Sequence, residues 1–336
     1  METKPSAADG GSVTKGGARR ALLVGINNYP GFQSDLPSCV ADAEAMGDLL
    51  SRVHGYQIEV LVDEGATRAG VLDALQRLCT NVQPADRICF YYSGHGATIP
   101  RLDSIEECLV LADGSTLPDD DFVSVFTGVP AGTALVMLDS CFSGGMSKEF
   151  QLAHLGLPKR MNLLTEQARA ALGKAAKYRP FGSKGRSSFG RFTSLKKKAL
   201  VEFDEAEDAL LNALLLSACL EGETASASTP QTGGLSCFTY ALLSAVANGG
   251  GSTGDLILEA TEELRRIGAQ QTPQIKEPAQ PLRLADASFP LLEAGGLAKG
   301  ASTARTQLTA RPRSAAQPNA MTLASAFLSG FARLSP

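Results

Sequence analysis

The sequence predicts an α/β fold, an open, mainly parallel β-sheet flanked by helices on both faces. Three observations carry that expectation. Apolar runs of strand length alternate with helical patterns in βαβαβ order up to Tyr92, an order that favours parallel strands joined by crossover helices. Two runs, Arg87–Tyr92 and Ala134–Leu138, end in small, glycine-rich turns, Ser-Gly-His-Gly96 and Asp-Ser-Cys-Phe-Ser-Gly-Gly145, as chains do on leaving the carboxyl edge of a parallel sheet. Finally, 336 residues that are 44% hydrophobic can bury one large core or two modest ones.

Residues 1–18, rich in Gly, Ser, Ala and charge, read as a flexible tail. Ala21–Ile26 reads as the first strand, followed by a Gly/Asn/Pro-rich loop to Pro37. Ser38 is the expected N-cap of a helix over Val40–Arg52, with Asp42 and Glu44 in its first turn, where the helix dipole favours carboxylates. His54 falls in the turn that closes this helix. Gln57–Val62 is the second strand, Thr67–Leu78 the second helix and Arg87–Tyr92 the third strand. A hairpin around Glu107–Leu111 and an acidic loop follow, and Ala134–Leu138 is the fourth strand. A helix is expected within 148–172. Gly173–Lys198 holds nine Lys or Arg and no acid, whereas Glu202–Asp208 holds five acids. The basic stretch reads as an exposed, mobile loop that the acidic one could pair with loosely. Ala213–Ala218 is the fifth strand, Ser236–Val246 and Thr253–Ile267 are helices, and Pro290–Leu292 finishes the sheet. Beyond Glu293 the composition is that of a linker, with weak helical periodicity over Met321–Leu334.

The net charge of −4 gives no reason to expect a nucleic acid partner. Seven cysteines at irregular spacings form neither metal-type pairs nor a disulfide framework and suit a reducing compartment. The N-terminal stretch lacks the apolar core of a signal peptide, and no run is long enough to span a bilayer. A cytoplasmic protein without membrane partners is the expectation.

His95 and Cys141 stand in the two glycine-flanked turns, and together they read as a Cys–His dyad. A thiol needs a nearby imidazole or positive dipole to become a thiolate, and the leaving nitrogen of an amide needs a proton, so one His can serve both steps. Either residue alone would more often be packed or on the surface. Cys39, Cys79, Cys89, Cys108, Cys219 and Cys237 lack such a setting and read mostly as core, and His54 and His154 are assigned no role.

At these residues the chain resembles the caspase and metacaspase clan of cysteine peptidases, in particular the bacterial metacaspase-like enzymes, or orthocaspases. The resemblance runs from about Arg20 to Leu292. It rests on Ala21-Leu-Leu-Val-Gly-Ile-Asn-Asn28, Ser38-Cys-Val-Ala-Asp-Ala43, Tyr92-Ser-Gly-His-Gly96, Leu138-Asp-Ser-Cys-Phe-Ser-Gly144, Leu216-Ser-Ala-Cys219, Phe238-Thr-Tyr-Ala-Leu242 and Gln270-Gln-Thr-Pro-Gln274. The animal-caspase signature around the Cys is absent, although the His lies about 50 residues upstream as that signature requires. This places the resemblance on the metacaspase side and argues against cleavage after Asp.

The resemblance implies a caspase-like domain over 19–292, with a large-subunit-like part 19–172, the basic loop 173–200 and a small-subunit-like part 201–292. It implies Cys141 as nucleophile, His95 as base and then acid, and the Gly94 and Cys141 amides as oxyanion donors. It also implies an acidic pocket for Arg or Lys at Cys39, Asp42, Ser93 and Asp139. Two carboxylates in one pocket would call for a cation, because like charges at close range otherwise raise one pKa. For Asp42 alone, a first-turn helix carboxylate is the plainer alternative. Asp103, Asp119 and Asp120 match calcium ligands of the family, while Lys148 stands where a further ligand Asp belongs; the alternative is an acidic, solvated loop. No cofactor is required for the chemistry. An Arg/Lys-specific enzyme with a basic loop carries its own substrate at high effective concentration. Autocleavage is therefore expected within 173–198, with Arg186, Arg191 and Lys198 as candidates, against an ordinary solvated loop. Protein or peptide substrates and a monomer follow from the resemblance. A catalytically silent scaffold is the rival reading, weakened by the presence of both His95 and Cys141. A phosphate-cradling enzyme lacks a P-loop Lys after Ser143-Gly-Gly-Met146 and has no dinucleotide fingerprint.

Overall fold

The computed structural model describes residues 17–30, 35–100, 104–141, 177–179, 201–202, 211–220, 223–249, 251–278 and 282–290. The larger sheet contains β1 (Arg19–Gly25), β2 (Gln57–Val62), β3 (Arg87–Ser93), β7 (Ala134–Asp139), β9 (Val201–Glu202), β10 (Leu214–Ser217) and β11 (Gln274–Lys276). Its spatial order is β2-β1-β3-β7-β10-β11-β9. All neighbours are parallel except β10 and β11. A smaller sheet holds β4 (Gly96–Pro100), β5 (Ser104–Val110), β6 (Thr116–Pro118) and β8 (Lys177–Arg179).

The apolar runs of β1, β3, β7 and β10 bury both faces, and the pleat sorts their side chains into two cores. Leu23, Cys89, Tyr91, Met137 and Leu216 face one core, and Leu22, Phe90, Val136 and Leu215 the other. This is the side-chain period of two in a sheet covered on both sides. Helices α1 (Cys39–Asp48), α4 (Cys237–Ala247) and α5 (Thr253–Arg266) cover the first face through Met46, Phe238, Leu242 and Ile257. Helices α2 (Arg68–Cys79) and α3 (Asp119–Val125) cover the second through Val71, Leu75 and Phe122. The Thr67 side chain caps α2, and Ser252 with Asp255 forms a capping box on α5, so both helices begin where orphan amides are satisfied locally.

Several expectations need correction. Ser38 occupies the N-cap position of α1, but its side chain does not cap; its Oγ lies 2.8 Å from Ser236 Oγ instead. The helix also ends sooner than expected, passing into a π-helical turn over Leu49–Val53. The acidic loop after the hairpin is β6 and α3: three Asp in the first turn suit the positive helix end, while Phe122 and Val123 are buried. β5 pairs antiparallel with both β4 and β6, so a three-stranded meander replaces the single hairpin. Within the basic stretch expected to be a loop, Lys177–Arg179 is a strand parallel to β5; it pairs with Ser104–Glu106, the part of β5 that β6 does not reach and whose backbone groups would otherwise be unpaired on that side. Pro290 is not in a strand, Leu291 and Leu292 lie outside the described residues, and β11 and β9 form the far end of the described sheet. The helix expected within 148–172, the rest of the basic stretch and the tails lie outside the described residues. No helix among the described residues is long and apolar enough to cross a membrane.

Candidate active site

β3 and β7 are neighbours although β4, β5, β6 and α3 separate them in the chain. Their register pairs Ser93 with Asp139. His95 and Cys141 each follow that last pair by two residues, so the two turns leave adjacent strands side by side at the carboxyl edge, where the strand spacing is about 4.8 Å. Both residues are buried.

The backbone of His95 is held on both sides. Its N–H donates to Tyr29 Oη at 2.8 Å, and its carbonyl accepts from Val110 N at 2.9 Å and from Tyr92 Oη at 2.8 Å. The Tyr29 ring also lies against the imidazole, 4.7 Å between centroids. Gly94 is required by this packing, because a Cβ there would stand 2.5 Å from Tyr29 Oη and 2.6 Å from Tyr92 Oη. The Gly94 N–H makes a long bond, 3.4 Å, to the Asp139 carbonyl. Across from Cys141, Cys219 brings its Sγ to 3.8 Å from the Ser140 carbonyl. Burial first, and then the neighbouring Cys141, push the Cys219 thiol well above its usual pKa, so it stays a protonated, inert neighbour.

The four residues matched to the family pocket converge at the same edge, all fully buried. Gly25 ends β1 so close to α1 that a Cβ on it would meet the Cys39 carbonyl at 2.4 Å; only glycine lets Cys39 and Asp42 reach the strand ends. Asp42 Oδ2 accepts from Ser93 Oγ at 2.7 Å, and Asp42 Oδ1 accepts from Ser236 N at 2.7 Å, with a further bond from Ser236 Oγ. Asp139 Oδ2 accepts from Thr239 Oγ1 at 2.6 Å and from Thr239 N at 3.2 Å. Both carboxylates thus end at the first turn of α4, whose own N-cap side chain does not cap it. Carboxylates are stabilised at a helix N-terminus by its orphan amides and dipole. The expectation that a cation alone would compensate the pair is therefore corrected.

Ser236, Thr239, Tyr29 and Tyr92 were not singled out from the sequence. The Ser/Thr spacing at the start of a predicted helix was visible, but it reads as local capping, and no local signal says that the acceptors lie elsewhere.

Asp119 is buried at the start of α3. The Asp120 N–H donates to Glu106 Oε1 at 3.0 Å, and Asp121 pairs with Arg68 at 2.7 Å. Among the described residues no group of three or more His, Cys, Asp or Glu side chains is arranged to hold a metal ion. Asp103 and Lys148 lie outside the described residues, as do Arg186, Arg191 and Lys198.

A two-sided α/β sheet with a His and a Cys at the carboxyl ends of adjacent central strands defines the class of caspase-like folds. Residues 18–282 match the family model of the caspase domain, Peptidase_C14. The chain belongs to that family. It is similar to Metacaspase-1 of Schizosaccharomyces pombe, 34% identical over an alignment 182 positions long that covers 48% of this chain and 43% of that protein. It is also similar to Metacaspase-7 of Arabidopsis thaliana, 36% identical over an alignment 147 positions long that covers 39% of this chain and 36% of that protein. The chain thus spans less than half the length of either relative. A crystal structure of a Geobacter sulfurreducens protein shares the fold, with a TM-score of 0.53 at 22% identity over 78% of this chain and 95% of that one.

Proposed function

We propose that this protein is a cysteine endopeptidase that cleaves after Arg or Lys. The observation that carries the proposal is the β3–β7 register, which sets His95 and Cys141 at equal offsets on neighbouring strands. In this mechanism the Cys141 thiolate attacks the scissile carbonyl, and the developing oxyanion is met by backbone amides, those of Cys141 and Gly94. Gly94 must exchange its long bond to Asp139 for this. His95 gives its proton to the departing amine, leaving a thioester. It then takes a proton from the water that hydrolyses the thioester and frees Cys141. Asp42 and Asp139 receive the cationic side chain before the scissile bond, where a guanidinium can donate several charge-assisted bonds at once.

Calcium is a further part of the proposal. Asp119 and Asp120 supply hard oxygen donors of the right kind, but calcium takes at least about six oxygens, and the described residues fall short of that set. No step is routed through the ion.

One experiment tests these points. Fluorogenic peptides ending in Arg, Lys or Asp are offered to the wild type and to Cys141→Ala, with calcium and with excess EGTA, and fragments of the incubated proteins are sequenced from their N-termini. Expected are Arg or Lys cleavage and fragments produced by cuts after Arg or Lys residues of 173–198, both lost in Cys141→Ala. Preference for Asp would remove the pocket assignment, full activity in EGTA the calcium role, and cleavage persisting in Cys141→Ala the self-processing.

A further inference from the structure

The first turn of α4 directs its amides at both pocket carboxylates. Ser236 N and Thr239 N, three residues apart and so on one helix face, each donate to a different buried carboxylate, Asp42 at 2.7 Å and Asp139 at 3.2 Å. Thr239 adds its hydroxyl to Asp139 at 2.6 Å, and the same Oγ1 lies 2.6 Å from Tyr91 Oη. All these side chains are fully buried.

The direction of the protons follows from chemistry. A hydroxyl has one proton to donate and lone pairs to accept with, and an ionised carboxylate only accepts. Burial, together with nearby Asp42 and Asp139, pushes the Tyr91 phenol well above its ordinary pKa, so Tyr91 keeps its proton. The relay therefore runs Tyr91 Oη–H to Thr239 Oγ1, and Thr239 Oγ1–H to Asp139 Oδ2. It fixes both the rotamer of Thr239 and the plane of the Asp139 carboxylate.

We propose that Thr239, oriented by Tyr91, is a specificity-positioning residue that presents the Asp139 carboxylate to the cationic side chain of the substrate. This rests on the acidic-pocket reading above. Thr239 touches neither the reacting carbonyl nor His95 or Cys141 in this scheme, so its loss should weaken ground-state recognition of the cation and spare the chemical step. It also follows that the pocket is built across the basic stretch: Asp42, Ser93 and Asp139 precede residues 173–198, and the turn that holds the two carboxylates follows them. A chain cut within that stretch keeps its specificity as long as the two parts stay associated.

The test compares Thr239→Val, Thr239→Ser and Tyr91→Phe with wild type on an Arg peptide. Competitive inhibition by benzamidine serves as a guanidinium-like probe, and the rate of Cys141 alkylation by iodoacetamide as a reading of the nucleophile alone. Thr239→Val should raise KM and the benzamidine inhibition constant together by about ten- to a hundredfold, the range for losing a hydrogen bond to a charged group. The kcat and alkylation rate should hold within about twofold on the same grounds. Thr239→Ser should restore wild-type KM, and Tyr91→Phe should shift KM and benzamidine inhibition the same way by less. Equal behaviour of Thr239→Val and Thr239→Ser, or a fall in kcat with KM and benzamidine inhibition unchanged, would overturn the proposal. Should Thr239→Val not fold, unchanged KM and inhibition in Tyr91→Phe would overturn it. A wild type that alkylates normally yet neither binds benzamidine nor cleaves Arg or Lys peptides would instead remove the pocket reading on which it stands.

Discussion

The two ends of the parallel sheet are built from the same strands and use their polar groups in opposite ways. At the amino edge the chain's own backbone answers them. Asp86 accepts from Ala18 N at 2.7 Å and Gln83 N at 2.9 Å, Arg19 donates to the His54 carbonyl at 2.8 Å, and Tyr56 donates to the Pro290 carbonyl at 2.9 Å. These bonds pin segments to one another and leave little for a ligand. At the carboxyl edge, buried carboxylates, an imidazole and a thiol converge from separate elements; α1 supplies Asp42 from its first turn, and α4 donates from its first turn to Asp42 and Asp139. Open parallel sheets leave crevices beyond the carboxyl ends of their strands, so polar groups there can be held for a substrate, whereas at the amino edge they close the structure.

Three substitutions sharpen this contrast. The largest expected effect is at the carboxyl edge: Asp139→Asn keeps the shape and removes the charge. It should lower kcat/KM for Arg peptides by about a hundredfold or more, with melting temperature and Cys141 alkylation little changed. An unaltered kcat/KM would mean that Asp139 only caps α4. Gly94→Ala comes next. Its Cβ would stand within 2.6 Å of two tyrosine hydroxyls, so the turn must shift, at about 1–3 kcal/mol of stability. Activity should fall further than stability, because the bond from His95 N–H to Tyr29 is what gives way. Equal stability to wild type by thermal unfolding would contradict that packing.

The smallest effect is at the amino edge and concerns stability alone. His54 lies partly buried near Phe289, 6.1 Å between ring centroids. Burial first, and the Arg19 charge second, lower its pKa from 6.5 to about 4. The unfolded chain therefore binds a proton that the folded one refuses. Stability on this account is full above pH 6.5 and declines as pH falls from 6.5 towards about 4. Solvent screening of a partly exposed group limits the loss to about 1–2 kcal/mol. His54→Gln should flatten this decline between about pH 7.5 and 5 in thermal unfolding and leave peptide cleavage intact. A parallel decline in both proteins would assign the pH dependence to other groups.

Much of the carboxyl edge was legible in the sequence, because each apolar strand delivers its own turn: Tyr91 and Tyr92 run into His95, and Leu138 into Cys141. That Cys39, Asp42, Ser93 and Asp139 come together at that edge was legible only through the family resemblance. The acidic segment misled, since Asp119–Asp121 looks alike as a solvated loop and as the first turn of a helix. What separates the two is the burial of Phe122 and Val123, a tertiary fact. The strand at Lys177–Arg179 escaped for a similar reason: it extends against Ser104–Glu106, the part of β5 that β6 leaves unpaired.

By itself the sequence determined the alternation of strands and helices, the two-sided burial of β1, β3, β7 and β10, and the two turns that carry His95 and Cys141. These depend on hydrophobic period and on glycine and capping chemistry, which act within a few residues. Only the tertiary structure decided that β3 lies beside β7 with Ser93 opposite Asp139. It alone also decided that α4 donates to Asp139 across 100 residues and to Asp42 across 194. Strand order and the partners of a helix end are chosen by which surfaces bury together, and no local pattern encodes that choice.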